Sequence, residues 1–179
     1  MQVKYEKKDI IEVVIKMKEI INKEQMERTI RRMTHEIIER NHDLNNIVLV
    51  GVLKKGYPLA TILKENIKEF SGIDVPLYKL DISNYRDDVK LNNPIEQYIN
   101  VHLKNVIIID DVLFTGRSVR AAMDALTDFG RAKNYQLAVL VDRGHKELPI
   151  KADYVGKNIP TSLQERVIVD FELKTVNID

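Results

Sequence analysis

Val106 to Ser118 reads VIIIDDVLFTGRS, and the order of residue types within it decides the fold. Four β-branched residues in a row show no alternation of apolar and polar positions. That pattern marks a strand covered on both faces, as strands inside parallel sheets are. Two aspartates follow, then an apolar bridge, then Thr115-Gly116-Arg117-Ser118, which opens a helix. Open α/β sheets bind ligands at the carboxyl ends of their strands, so charge delivered there marks a site.

Working outward, strand and helix signals alternate. Asn22 and Gln25 have capping-box spacing, and Ile30, Met33, Ile37 and Ile38 recur at helical intervals, which predicts a helix from about Lys23 to Arg40. Ile47 to Val50 predicts a short strand ending at Gly51. The loop Val52 to Gly56 then enters a helix near Pro58. Val75 to Ile82 predicts another strand, and Ser83 to Asn100 is a polar connection long enough to cover a site. The central strand feeds a helix from about Arg117 to Asp128, with Gly130 as its expected C-cap. Gln136 to Val141 is a further strand. Asp153 to Ile159 and Val167 to Phe171 read as late edge strands, possible partners in antiparallel pairing. The first twenty residues fit helix or strand equally. This succession predicts an α/β fold with a mainly parallel sheet flanked by helices.

The chain has 179 residues, which suits a single domain over residues 1–179, with 1–21 as an N-terminal extension of open structure. Hydrophobic residues make up 44% and charged residues 31%, the balance of an ordinary globular protein. A net charge of +1 means that any nucleic-acid contact must come from a local basic patch. Cysteine is absent, which excludes a disulfide framework and thiol chemistry. With no signal-peptide pattern and no apolar run of membrane-spanning length, a cytoplasmic protein without membrane partners is expected.

Asp110 and Asp111 could bind a metal, share a proton or accept hydrogen bonds from hydroxyls. The turn Thr115-Gly116-Arg117-Ser118 offers backbone N–H groups, a glycine that permits close approach, two hydroxyls and a guanidinium, which together make a phosphate cradle. Singly, the acid pair is a solvated strand end and the turn an ordinary helix start. In this order they fit a ribose 5-phosphate, with Asp110 and Asp111 on the 2- and 3-hydroxyls and residues 115–118 around the phosphate.

The segment resembles the signature of type I phosphoribosyltransferases, which bind phosphoribosyl pyrophosphate. By that resemblance, Val112, Leu113 and Phe114 join the nucleotide-binding segment, and the loop at Lys54, Lys55 and Gly56 lies on the pyrophosphate. Similar purine enzymes carry a further aspartate where this chain has Phe114. A phenyl ring cannot accept the hydrogen bond of an imidazole N–H, so a pyrimidine base is favoured. The resemblance widens with THEIIERN (Thr34–Asn41), DISNYRDD (Asp81–Asp88), VRAAMDAL (Val119–Leu126) and the stretch Leu137–Ser162. These blocks are similar to the bacterial pyrimidine operon attenuator family, PyrR, from about Asn22 onward.

That resemblance implies two activities: a uracil phosphoribosyltransferase making UMP and pyrophosphate, and an RNA-binding attenuator that responds to the uridine nucleotides UMP and UTP. A pyrimidine salvage enzyme without specific RNA binding is the alternative. Magnesium is implied, carried by the pyrophosphate with Asp110 or Asp111 as the protein's ligand. Lys54 or Lys55 would neutralise the leaving group, and the stretch Tyr85-Arg86-Asp87-Asp88 is the expected lid. Arg143, at a strand's carboxyl end, would approach the base or its phosphate. The implied RNA contacts are Arg31, Arg32, His35 and Arg40 on the early helix, and His145, Lys146, Lys151 and Lys157 later. A homodimer or higher oligomer would multiply this patch on a nearly neutral chain. Departures from the family occur here too: Lys54-Lys55 replace a usual Thr-Arg, and Lys146 and Lys151 replace arginines, with loss of bidentate geometry. Arg31 replaces a small hydroxyl residue.

Overall fold

The computed structural model describes residues 17–87 and 98–179. Its centre is a five-stranded parallel sheet of order β3-β2-β4-β5-β6. The strands are β2 (Ile47–Val52), β3 (Leu77–Leu80), β4 (Asn105–Leu113), β5 (Asn134–Asp142) and β6 (Tyr154–Asn158). A second, antiparallel sheet of order β1-β8-β7 joins β1 (Lys18–Ile21), β8 (Thr175–Ile178) and β7 (Val167–Asp170).

Alternation along the strands sorts their side chains between two cores. Ile47, Leu49, Ile107, Ile109, Ala138 and Leu140 face α1 (Lys23–Arg40) and α2 (Gly56–Ser71), together with Val169 and Val176 from the small sheet. Val48, Val50, Val106, Ile108, Leu137 and Val139 face α3 (Arg117–Thr127) through Ala121, Ala122, Ala125 and Leu126. Burying each aliphatic side chain of β4 on either face contributes about 1.5–3 kcal/mol. The unbroken Ile107-Ile108-Ile109 run is therefore what holds helices to both sides.

The first helix begins where its cap places it: Asn22 Oδ1 accepts from Gln25 N at 2.9 Å, and Gln25 Oε1 from Asn22 N at 3.1 Å. Helix α2 ends on Gly72 at φ 76°, left-handed backbone that glycine adopts without a Cβ penalty. For α3 the expected cap differs. The helix ends at Thr127, and Phe129 and Gly130 close three-residue turns onto Leu126 and Thr127, so Gly130 lies beyond the cap. Late strand directions differ too. Strand β6 runs parallel to β5, pairing Ala138 with Tyr154 and Val141 with Lys157, because residues 143–153 return the chain to the amino end of the sheet. Of these two late strands, β7 is the antiparallel one, paired with β8. Strands β1 and β8, four residues each, are too short for periodicity to reveal.

Candidate active site

Strand β4 carries Asp110 and Asp111 and continues to Leu113, pairing Asp110 with Val139 and Leu113 with Asp142. The sequence places the acids at the strand's end; the structure places them inside its last turn of pleat, held by the β5 ladder. The main chain fixes their carboxylates as well. Asp110 Oδ1 accepts from Asp111 N at 3.0 Å, and Asp111 Oδ1 from Val112 N at 2.9 Å.

Burial raises the Asp110 carboxyl well above the usual carboxylate range, and the negative charge of Asp111 raises it further. Burial raises Asp111 also, opposed by its hydrogen bonds with Asp110 and with the Val112 amide and by the charge of Lys55. Both acids are therefore easier to protonate than an ordinary aspartate, Asp110 the more so.

A cleft of about 410 Å³ lies against Asp110, and Asp111 is not among the residues that line it. Asp110, Val112, Leu113, Phe114, Thr115, Gly116, Arg117 and Ser118 line it, with Arg86 and Asp87 opposite. Gly116 stands at φ 89° as the N-cap of α3, a conformation that a side chain would strain. Arg117 N donates to Thr115 Oγ1 at 3.3 Å, shaping the turn. The first turn of α3 has no acidic side chain, so its N–H groups present unopposed positive character to the cleft.

The pyrophosphate-loop candidates approach from β2. Gly56 opens α2 against β4 so closely that a Cβ there would lie 2.2 Å from Ile109 O and 2.9 Å from Asp110 Cα. Only glycine allows that contact. The Leu53–Lys54 peptide bond is cis. Lys54 and Lys55 are exposed, and Lys55 Nζ donates to Val169 O at 3.0 Å. Neither lysine lines the cleft, although Lys55 lies near enough to Asp111 to favour its ionised form.

Arg143 is buried beneath Phe114, with its guanidinium carbon 4.0 Å from the ring centroid. Its donors go to Thr161 Oγ1 at 2.9 Å and to the carbonyls of Ser162 and Glu165 at 3.0 and 2.6 Å. Arg143 itself does not line the cleft, whereas Phe114, against which it packs, does. His145 meets the same ring edge-on at 6.0 Å.

Two partners of the phosphate turn escaped sequence reasoning. Arg117 is held by Glu147 at 2.7 Å and by Asp87 at 3.0 Å, while Arg120 also pairs with Asp87. Asp87 lies in the expected lid, but nothing in local sequence pairs it with α3, and Glu147 stands in an unpatterned loop. Tyr85 donates its hydroxyl to Asp128, tying the same segment to the far end of α3. Asp88 falls outside the described residues.

The candidate RNA contacts gather in part. On α1, Arg31 stacks its cation on Phe70 at 4.9 Å, and His35 lies parallel to that ring at 4.6 Å. Arg32 donates to the β6 carbonyls of Val155 and Gly156 at 3.0 and 2.6 Å. Arg40 pairs with Asp153 at 2.8 Å, and Lys157 donates to Ile20 O at 3.2 Å. Lys151 is exposed just before β6. His145 and Lys146 belong instead to the loop leaving β5, where Lys146 binds Asp142 at 2.7 Å.

A parallel sheet with an acid pair and an anion-binding helix start on one strand is the site of a phosphoribosyl-transferring fold. The phosphoribosyl transferase domain family matches residues 16–175. The fold is shared with a Bacillus anthracis hypoxanthine-guanine phosphoribosyltransferase at TM-score 0.71 and 24% identity, covering 90% of this chain and 98% of that one. A Trypanosoma cruzi hypoxanthine phosphoribosyltransferase in complex with IMP aligns at TM-score 0.70 and 19% identity, over 88% of this chain and 82% of that one. Likeness at that level extends to the fold alone. Nearer in sequence are proteins named bifunctional protein PyrR. That of Haemophilus ducreyi is 54% identical over 86% of this chain and 89% of its own length, and that of Streptococcus mutans 52% identical over 87% and 89%. The chain belongs to the phosphoribosyltransferase family and, within it, to the PyrR proteins.

Proposed function

We propose that the protein transfers the phosphoribosyl group of phosphoribosyl pyrophosphate to uracil, and that it also binds the leader RNA of pyrimidine biosynthetic operons as an attenuator responsive to UMP and UTP. The observation that carries this reading is the coincidence of one cleft, holding Asp110 and the Thr115–Ser118 turn, with identity above half to PyrR relatives along most of the chain.

In the transfer, a bond forms between uracil N1 and ribose C1, the bond from C1 to the pyrophosphate oxygen breaks, and the N1 proton leaves to solvent. Asp110 and Asp111 accept hydrogen bonds from the ribose hydroxyls as positive charge develops on the sugar, and the helix start at residues 115–118 holds the 5-phosphate. Lys54 or Lys55, on the loop outside the cleft, would swing in to neutralise the leaving pyrophosphate as a point charge. Phe114, with Arg143 behind it, forms the floor for a pyrimidine ring. Tyr85, Arg86 and Asp87 stand as the cover over the cleft.

Among the described residues no cluster of three metal-ligating side chains exists. Magnesium needs none, because it commonly takes one or two carboxylates and completes its shell with substrate phosphates and water. The Asp110–Asp111 pair fits that role. Magnesium bound with the pyrophosphate would offset charge on the leaving group.

Conversion of radiolabelled uracil with phosphoribosyl pyrophosphate and magnesium tests the enzyme; no UMP would sink it. Gel-shift titration of leader RNA with and without UMP tests the regulator. Binding no tighter than to scrambled RNA would leave a salvage enzyme. No helix among the described residues is long and apolar enough to cross a membrane. We infer a cytoplasmic protein acting on nascent transcripts, and a homodimer or higher oligomer that would multiply its basic patch.

A further inference from the structure

A second hollow, of about 450 Å³, opens at the other end of the parallel sheet. Asn105 and Asn134 are the first residues of β4 and β5, and Asn46 immediately precedes β2, so the hollow lies where the strands begin. At about 3.3 Å per residue it stands roughly 17–20 Å along β4 from the acid pair. Its volume is within the range of about 300–1,000 Å³ that small-ligand sites occupy.

The floor is a finished piece of structure. Asn41 and Gln136 exchange amide hydrogen bonds, at 3.1 Å from Asn41 Nδ2 and 3.0 Å from Gln136 Nε2, and the Tyr154 hydroxyl donates to Gln136 Oε1 at 2.7 Å. One acceptor is left over: Asn105 Oδ1 is buried and has no hydrogen-bond partner. Buried acceptors are nearly always satisfied in folded proteins, so this one can take a donor from water or from a ligand entering the hollow. The rim is cationic. Lys133 and His42 are exposed and have no side-chain partner among the described residues, whereas Arg40, 5.6 Å over the Tyr154 ring, is paired with Asp153 at 2.8 Å. The one carboxylate of the rim, Asp43, caps the turn below it by accepting from Asn45 N at 3.1 Å. The partly buried ring of Tyr135 completes a wall.

A ligand suited to this hollow has a flat body bearing an N–H group and an anion close by. A nucleobase on a phosphate backbone has both, and single-stranded RNA is read by splaying such bases into pockets whose polar groups meet their edges. We propose that the hollow beside Asn105 receives one unpaired base of the RNA that this protein binds, with Lys133 on a flanking phosphate. This inference rests on the RNA-binding reading, and Arg40 joins the two: it lines the hollow and ends the basic face of α1.

The test is fluorescence anisotropy of labelled leader RNA with the full-length protein, its Asn105→Leu and Lys133→Glu variants, and a scrambled RNA. Asn105→Leu removes the acceptor, and Lys133→Glu, on the exposed rim, leaves the core untouched. Both should bind leader RNA about fivefold to tenfold more weakly, the loss expected for a base or phosphate contact, while UMP formation is unchanged. If wild-type protein prefers leader RNA over scrambled RNA and both variants match it, the hollow is not a base site, although the protein still binds RNA. If wild-type protein shows no preference, the RNA reading itself fails. If the variants alter sedimentation and leave RNA affinity alone, a second copy covers the hollow and the inference is overturned.

Discussion

The carboxyl end of β4 and the basic face of α1 use charge in opposite ways. At the end of β4 the groups are adjacent in sequence and fixed by main-chain geometry, and Asp110 with the turn after it lines a cleft. On α1 the cations spread from Arg31 to Arg40, and most are bonded within the protein: Arg32 to carbonyls of β6, Arg40 to Asp153, Arg31 to the Phe70 ring. The first region is a site in a single chain. The second is a surface whose cations brace the α1–β6 contact as well as offering charge, so its substitution mixes stability with binding in a way that the first does not.

The sharpest way to break that contrast is at the acids. Asp110→Asn and Asp111→Asn should each lower UMP formation by about 10²–10³-fold, the loss typical of an electrostatic group aimed at developing charge. Circular dichroism and leader-RNA binding should be unchanged. Wild-type rates in both would remove the acids from the ribose.

Gly56→Ala comes next, since its new Cβ must displace the main chain of β4 at Ile109. Overpacking of this kind costs about 1–3 kcal/mol, read from the urea midpoint, and activity should fall with it because the acids ride on the same strand. A stable, active Gly56→Ala protein would show that the loop and strand move independently.

On the basic face the effects are smaller and should separate. Arg32→Ala leaves two β6 carbonyls short of a donor and should cost about 0.5–1.5 kcal/mol of stability along with RNA affinity. Lys151→Ala should cost no stability, yet reduce the slope of log affinity against log salt by about 1 if it meets a phosphate. Equal stability loss in both would mean that the face is structural only.

The smallest effect is a pH dependence. Because the folded protein holds the acid pair's proton to higher pH than the unfolded chain does, it binds more protons between the normal carboxylate pKa and the raised one. Stability from this pair is therefore lost as pH rises through that window. Asp110→Asn should flatten the dependence and raise Tm at neutral pH by about 2–4 °C for each kcal/mol relieved. A steeper dependence in the variant would reverse the sign assigned to the pair.

What could be read from sequence follows the same division. The acids, the turn and the capped helix α1 were legible because each is a contiguous pattern whose physics is local: β-branched run, glycine at positive φ, Asn22–Gln25 reciprocity. Strand β6 misled because its direction depends on where residues 143–153 carry the chain, which composition does not encode. Asp87 and Glu147 went unnoticed as partners of Arg117 because they lie thirty residues away on either side. The basic residues were visible as charges, but their commitment to carbonyls and rings is tertiary. Among them, Phe70 had no signal at all.

The contact at Gly56 works as a gauge block. With no side chain interposed, the spacing between the loop after β2 and the acids on β4 is set by one main chain resting on another. Residues 54 and 55 can change identity without altering that spacing. A lineage could thus retune the chemistry of the loop freely while the length of substrate spanning loop and strand stays fixed, and an engineer seeking a longer or shorter substrate would have to rebuild the strand instead of the loop.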